Sequence, residues 1–337
     1  MIEKKHQQFR IKRKDIFWSA RNFGLAIFTA FVFSMLMYSV MLLASQPAHV
    51  DEAIVSTASA AVAKVEITAE YISPMWSVFI FNSIAVFSAV IVTALFTFIH
   101  PMMIEEIKLR SRYRTYAYLS ILIEKTLMPV NRLLQRSVAF ADRDFAAINV
   151  EEGKDTDSIW QYCGYEKADY HKFSYMLPYT VPVMVLLANG FLMGILLAFF
   201  TFNGAITGFQ LFGMKGIAAG SLYNISYFFI SIIPHGIIEI PTILLAAALG
   251  YRFAFIQTHE VKNEKLFLGD SIESAKQDVA HILGITKEYI SSIYVWKMIA
   301  LMILMLLIAA YIEMHLTLRI VESVMAILDS LVEKGLA

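Results

Sequence analysis

Ile232-Ile233-Pro234-His235-Gly236-Ile237-Ile238-Glu239-Ile240-Pro241 lies inside a long apolar run, Leu222 to Ile256. Two prolines, a glycine, a histidine and a carboxylate within ten residues are heavy punctuation for a segment that would otherwise read as one membrane span. In hydrocarbon no water replaces lost backbone hydrogen bonds, so such a break is tolerated only where protein or a hydrated cavity receives it. Pro234 cannot donate to the preceding turn, and Gly236 permits the geometry of a restart. The expectation is a broken helix at Pro234-Gly236, with a second piece starting near Ile237 and Glu239 in its first turn, where the helix dipole favours a carboxylate. If the helix runs through instead, His235 and Glu239 are four residues apart and face one another. As one straight helix Leu222 to Ile256 would be ~52 Å long, more than a bilayer needs. The run therefore reads either as a kinked, tilted span or as a re-entrant half-helix followed by a full span.

The pattern Pro-His-Gly-Ile-x-Glu-Ile-Pro, followed by the small-residue stretch Ala246 to Gly250, resembles the signature of the stage II sporulation protein M family. Phe81-Asn82-Ser83, Asn189-Gly190 with Gly194, and Ala309-Ala310-Tyr311-Ile312-Glu313 resemble three further pieces of it, in the same order along the chain. Two departures stand out. Ser83 occupies a place where the family usually has a second Asn, and about 75 extra residues, an insert over 102–177, separate spans that the family joins by a short turn. The resemblance thus covers the membrane core and not the insert. It implies a non-enzymatic integral membrane protein, a scaffold within an envelope-assembly or membrane-remodelling complex. The best-known relative works with peptidoglycan-degrading proteins during engulfment in spore formers.

Composition points the same way. Of 337 residues 58% are hydrophobic, the mean hydropathy is +0.60 and the formal net charge is zero, which places the chain among polytopic all-α membrane proteins. Neutrality argues against nucleic acid as a partner. Cys163 is the single cysteine, which excludes an intrachain disulfide and reads as inert packing.

In chain order, residues 1–22 are a basic cytoplasmic flank with Lys4, Lys5, Arg10, Lys12, Arg13, Lys14 and Arg21. Residues 23–101 hold spans one (Phe23 to Ser45, retained rather than cleaved) and two (Pro74 to Ile99), joined by an outer amphipathic segment. The insert, with 11 basic and 11 acidic residues, reads as a cytoplasmic helical hairpin turning at Gly153-Lys154-Asp155. Its first arm interleaves Arg110, Arg112, Tyr113, Arg114, Tyr116 and Tyr118, read as snorkelling interfacial side chains. Its aromatic-rich second arm returns to the membrane. Residues 178–316 hold spans three (Pro178 to Phe202), four (the broken one) and five (Ile293 to Leu316), a glycine-rich outer loop from Asn203 to Ser221, and a cytoplasmic segment 257–292. Residues 317–337 form an outer amphipathic tail. This arrangement of about five spans puts 24 of the 28 Lys and Arg inside, so the positive-inside rule gives N-in and C-out. The location is a cell membrane, crossed several times.

No H-E-x-x-H, G-x-S-x-G or P-loop is present, so no enzyme, cofactor or metal is expected. The polar intramembrane residues are His235, Glu239, Asn82, Asn189 and Glu313. Asn82 and Asn189 read either as interhelical glue or as a polar lining converging on Glu239. The alternative to a scaffold is a solute or ion transporter or channel using His235 and Glu239. His235, Glu239, Glu313 and His315 are the residues able to ligate a metal, although their spacing specifies none. Gly190 and Gly194 make a G-x-x-x-G pair suited to close helix packing, and with Gly250 they offer small-residue faces. A homo-oligomer and contacts with other envelope proteins are expected partners besides the lipid bilayer.

Overall fold

A computed structural model describes residues 7–44, 71–141, 145, 148 and 158–336, and among these every regular element is helical. The elements are α1 (Arg13–Leu43), α2 (Pro74–Phe87), α3 (Ile99–Arg112), α4 (Arg114–Ala141), α5 (Lys167–Met176), α6 (Thr180–Phe212), α7 (Gly216–Asn263), α8 (Ile272–Ile290), α9 (Ile293–Ile312) and α10 (Leu318–Leu336). A π-turn at Ser88–Val92 lies between α2 and α3, and another at Glu313–Thr317 joins α9 to α10. Four helical runs are long and apolar enough to cross a membrane: Arg13–Leu43, Pro74–Arg112, Lys167–Asn263 and Ile293–Ser330. The third contains both the third and fourth expected spans. The outer amphipathic segment and the Gly153 turn fall largely or wholly outside the described residues.

The expected break at Pro234-Gly236 is not there. All 48 residues of α7 are helical, with Pro234 and Pro241 inside. Each proline removes one backbone donor, to the Ile230 and Ile237 carbonyls, and the bonds on either side carry the helix through. The glycine-rich outer loop is a second correction. Helix α6 continues to Phe212, a 3-10 turn takes Gly213–Lys215 with Gly213 at φ +64°, and α7 starts at Gly216. The other glycines pack the two arms: Gly204 lies against Gly220, and Gly208 against Gly216, so closely that a Cβ at any of them would strike backbone.

The contacts divide the chain into two units. The first takes residues to Ile11, Ala89–Pro182 and Leu249–Lys297. It brings the expected insert and the 257–292 segment into one core of Met103, Ile104, Ile107, Trp160, Phe267 and Ile282 with their neighbours. The aromatic-rich second arm supplies part of this core: Trp160, Tyr170 and Tyr175 are buried, and the Trp160 indole donates to the Gly269 carbonyl at 2.9 Å. Of the side chains read as snorkelling, Tyr113, Tyr116 and Tyr118 are exposed, whereas Arg110 is buried among carboxylates. Burial pushes the Cys163 thiol up to about 11, which suits an inert packing residue. Beyond α7, Lys265 and Phe267 adopt positive φ. That strained turn is held by Asp278, whose carboxylate accepts the Phe267 N–H at 2.6 Å.

Asp270 ties the 158–167 segment to the start of α8. Its carboxylate accepts from the Ser158 hydroxyl at 2.6 Å and from Lys167 at 3.0 Å, and its carbonyl accepts the Ile159 N–H. The Ser158 bond, aided by Lys167, holds this carboxyl below its ordinary value of 3.8. A depressed folded-state value means stability present above the unfolded value and lost as pH falls through it toward the folded one. Asp270→Asn is therefore expected to cost about 1 kcal/mol at neutral pH, a modest figure because the group is partly exposed. The gap from the parent protein should close in thermal melts below about pH 4. A gap independent of pH would contradict this.

The second unit takes Lys12–Ser88, Val183–Ala248 and Met298–Ala337. Here α1 lies along α6 through small residues: a Cβ at Gly190 would meet that of Ala26 at 2.7 Å, and one at Gly194 would meet Ala30 at 2.8 Å and the Ile27 carbonyl. Farther along the same pair, Tyr38 stacks on Phe202 with ring centres 4.4 Å apart. On the hairpin, Tyr223 donates to Asp329 of α10 at 2.6 Å.

Candidate functional site

His235 and Glu239 lie on one face of α7, since the unbroken helix places residues four apart above one another. Glu313 comes from the other end of the chain, as the first residue of the π-turn after α9. One ligand atom from each of the three lies within 4.8 Å of the others, and all three side chains are half-buried. Asn82 of α2 donates its amide to Glu239 Oε1 at 2.9 Å. Thr317, the last residue of the π-turn, sits with its hydroxyl 3.4 Å from His235 Nδ1, and that hydroxyl donates to the Ile312 carbonyl at 3.3 Å. Three stretches remote in sequence thus converge on one carboxylate pair. The whole cluster belongs to the second unit.

Local sequence explains the convergence. The π-turn inserts one residue into the α9–α10 register and swings Glu313 and Thr317 toward α7, whereas an unbroken α-helix would carry them on a different bearing. Asn82, eight residues after Pro74 at the start of α2, lies on a helix that packs against this same π-turn.

Of the five polar intramembrane residues, the structure brings four together: His235, Glu239, Asn82 and Glu313. Asn189 does not. Its amide donates to the Val185 carbonyl one turn back at 2.8 Å, and among the described residues it makes no hydrogen bond to the cluster. His315, weighed as a fourth ligand, is exposed and lies against the Tyr311 ring. Thr317 was missed. A hydroxyl in the last turn of an apolar span carries no signal in sequence unless the π-turn that aims it is known.

Gly190 and Gly194 pack as expected, but within the chain, against α1. Ala246, Ala247 and Ala248 are fully buried, and Gly250 meets Ala89, Thr93 and Pro182. The small-residue faces invoked for a homo-oligomer are thus occupied by the chain's own helices.

Chemically the cluster holds one imidazole and two carboxylates among apolar helices. Two carboxylates so close and so poorly hydrated repel one another and lose solvation, a cost of several kcal/mol unless protons or a cation offset it. The arrangement can bind a cation or hold a shared proton. Among the described residues it is the one grouping of three or more metal-ligating side chains.

A family model described as Stage II sporulation protein M matches residues 149–317. The matched stretch holds His235, Glu239, Glu313 and Thr317, begins within the expected insert, and leaves Asn82 outside. No curated protein and no solved structure matches the chain.

Proposed function

The chain belongs to the stage II sporulation protein M family, and from that premise we propose that it is a non-enzymatic integral scaffold of an envelope-assembly or membrane-remodelling complex in a cell membrane, with its N-terminus inside. One surface carries the reading. Helix α4 leaves Leu119, Ile123, Leu127, Val130 and Leu134 each more than half exposed, at intervals of four, four, three and four residues, which is a single helical stripe. The first unit already has its own buried core, so this stripe is surplus to folding and fits a helix of a partner membrane protein.

A photoreactive residue at Leu127, introduced in the intact cell, is expected to form an adduct with a defined second membrane protein, and Ile123→Glu should abolish it without changing abundance. Adducts with lipid alone, or adducts that persist in Ile123→Glu, would remove the support for a scaffold.

A second reading, translocation of an ion or small solute, is favoured by the convergence of His235, Glu239 and Glu313. Broken or distorted helices with ionisable groups are how many transporters hold their cargo. Purified protein in sealed vesicles should then show flux that Glu239→Gln abolishes while the fold is kept. Absence of flux across a broad ion screen leaves the scaffold.

A further inference from the structure

We propose that His235, Glu239 and Glu313 bind a first-row divalent transition metal ion, with Asn82 and Thr317 orienting two of the ligands from outside the coordination shell. Three observations support this, none of them visible in the sequence spacing.

The first is geometric. Ligand atoms within 4.8 Å of one another lie somewhat farther apart than the ~3–3.5 Å edges of a shell with bonds of about 2.0–2.1 Å. A bound ion would have to draw the two carboxylates and the imidazole, all half-buried, together through turns about their side-chain bonds. Three protein ligands also leave at least one position for water or a further group, the arrangement of open rather than closed sites.

The second is the pair of outer contacts. Asn82 donates to Oε1 of Glu239, which leaves Oε2 available. The Thr317 hydroxyl stands by Nδ1 of His235, which leaves Nε2 available. Metal-binding imidazoles and carboxylates are usually held in this way by one hydrogen bond on the far atom. A mere polar knot between helices has no need of separate outer partners for two of its three members.

The third is the backbone. Among the described residues only two π-turns occur, and one begins at Glu313 and ends at Thr317. Such turns sacrifice regular helix bonding and are frequent at functional positions. Here the irregular turn delivers both a ligand and an orienting residue.

The donor set narrows the metal. An imidazole disfavours magnesium and calcium, and the lack of thiolate or thioether disfavours copper(I), so zinc, iron(II) and manganese(II) fit best. A metal at this place suits a scaffold, which it would brace by clamping α7 to the end of α9, and a translocator alike. Its detection therefore does not depend on which of those functions holds.

The test uses full-length protein in lipid nanodiscs, stripped with a chelator and titrated with Co²⁺. The expected result is visible d–d absorption saturating at one ion per chain and displaced by Zn²⁺. Glu313→Gln and Glu239→Gln should each weaken binding by more than 100-fold, and Asn82→Ala by about 10-fold. His315→Gln should leave it unchanged. Absence of the Co²⁺ bands in the parent protein, with no Zn²⁺ retained after dialysis, would overturn the proposal. So would undiminished binding in the Glu239→Gln, Glu313→Gln double variant. If that double variant does not fold, the parent spectrum and the milder Asn82→Ala and Thr317→Val variants decide: weakened binding in them supports the site, and affinity unchanged in both would show that the bound ion is held elsewhere and overturn the proposal.

Discussion

Gly194→Leu is expected to prevent the second unit from assembling, and Gly194→Ala to cost about 3 kcal/mol. The ground is space alone. A single Cβ at Gly194 would collide with the Ile27 carbonyl oxygen and lie 2.8 Å from the Ala30 Cβ. One obstacle is backbone and the other is a methyl group with no torsion to turn, so neither can step aside. The helices must separate instead, and α1 and α6 would lose the packing that includes the Tyr38–Phe202 stack. In a membrane no hydrophobic driving force restores the pair, because lipid is as apolar as the lost partner. Ala30→Gly should rescue Gly194→Ala only in part, since it removes the methyl obstacle and leaves the carbonyl. Gly24 provides the control: nothing lies within 4 Å of a Cβ built there, so Gly24→Ala should be neutral or slightly stabilising. Thermal unfolding in mild detergent, with yield of folded protein for the leucine variant, reads all four. A Gly194→Leu protein that melts like its parent would show that α1 and α6 are not in contact.

The sequence made the class of the fold legible and much of the site, but through different signals. Apolar runs and charge asymmetry report length and burial, and those quantities decide that a chain crosses a membrane. The spacing of Gly190 and Gly194 correctly indicated close helix packing. Gly204, Gly208, Gly216 and Gly220 carried the same four-residue interval on both sides of a turn, yet their number suggested a loop. Glycine count signals flexibility only where the interval is irregular; at a regular interval it signals a helix contact. The break at Pro234-Gly236 failed for a related reason. Proline removes one bond, and a 48-residue helix has enough bonds on either side to continue. His235, Glu239, Asn82 and Glu313 were legible because ionisable and amide groups are costly in apolar segments and so stand out. Thr317 and the exclusion of Asn189 were not, because both depend on helix rotation. The π-turn sets that rotation for Thr317, and the packing of α6 on α1 sets it for Asn189. Neither is written in local composition.

Arg110→Met is expected to destabilise the first unit by about 3–5 kcal/mol, the range for removing one partner from a buried ion pair. The guanidinium is 7% exposed and reaches Glu106 at 3.0 Å and Glu124 at 2.7 Å. It also donates to the Tyr162 carbonyl at 3.3 Å. Glu124 in turn accepts the Gly164 N–H at 2.6 Å, and Glu106 accepts from the Tyr116 hydroxyl. One side chain therefore joins α3, α4 and the 162–164 segment, and its loss leaves two carboxylates facing each other with little water. Lysine cannot replace it: an ammonium is a point charge, whereas these partners approach from Nε and Nη1 of a planar fork. Arg110→Lys should recover less than half of the loss. Removing the opposing charge should recover more, so the Arg110→Met, Glu124→Gln pair ought to show a coupling of about 1–3 kcal/mol in a double-mutant cycle. Because this network fixes α4 on α3, the same substitution should also abolish the crosslink from Leu127, without any change at the exposed stripe itself. Hydrogen exchange across residues 99–141 distinguishes local detachment of α4 from general unfolding. Unaltered exchange there, together with an unchanged melting midpoint, would mean that the ion network is a passenger and that apolar packing alone positions α4.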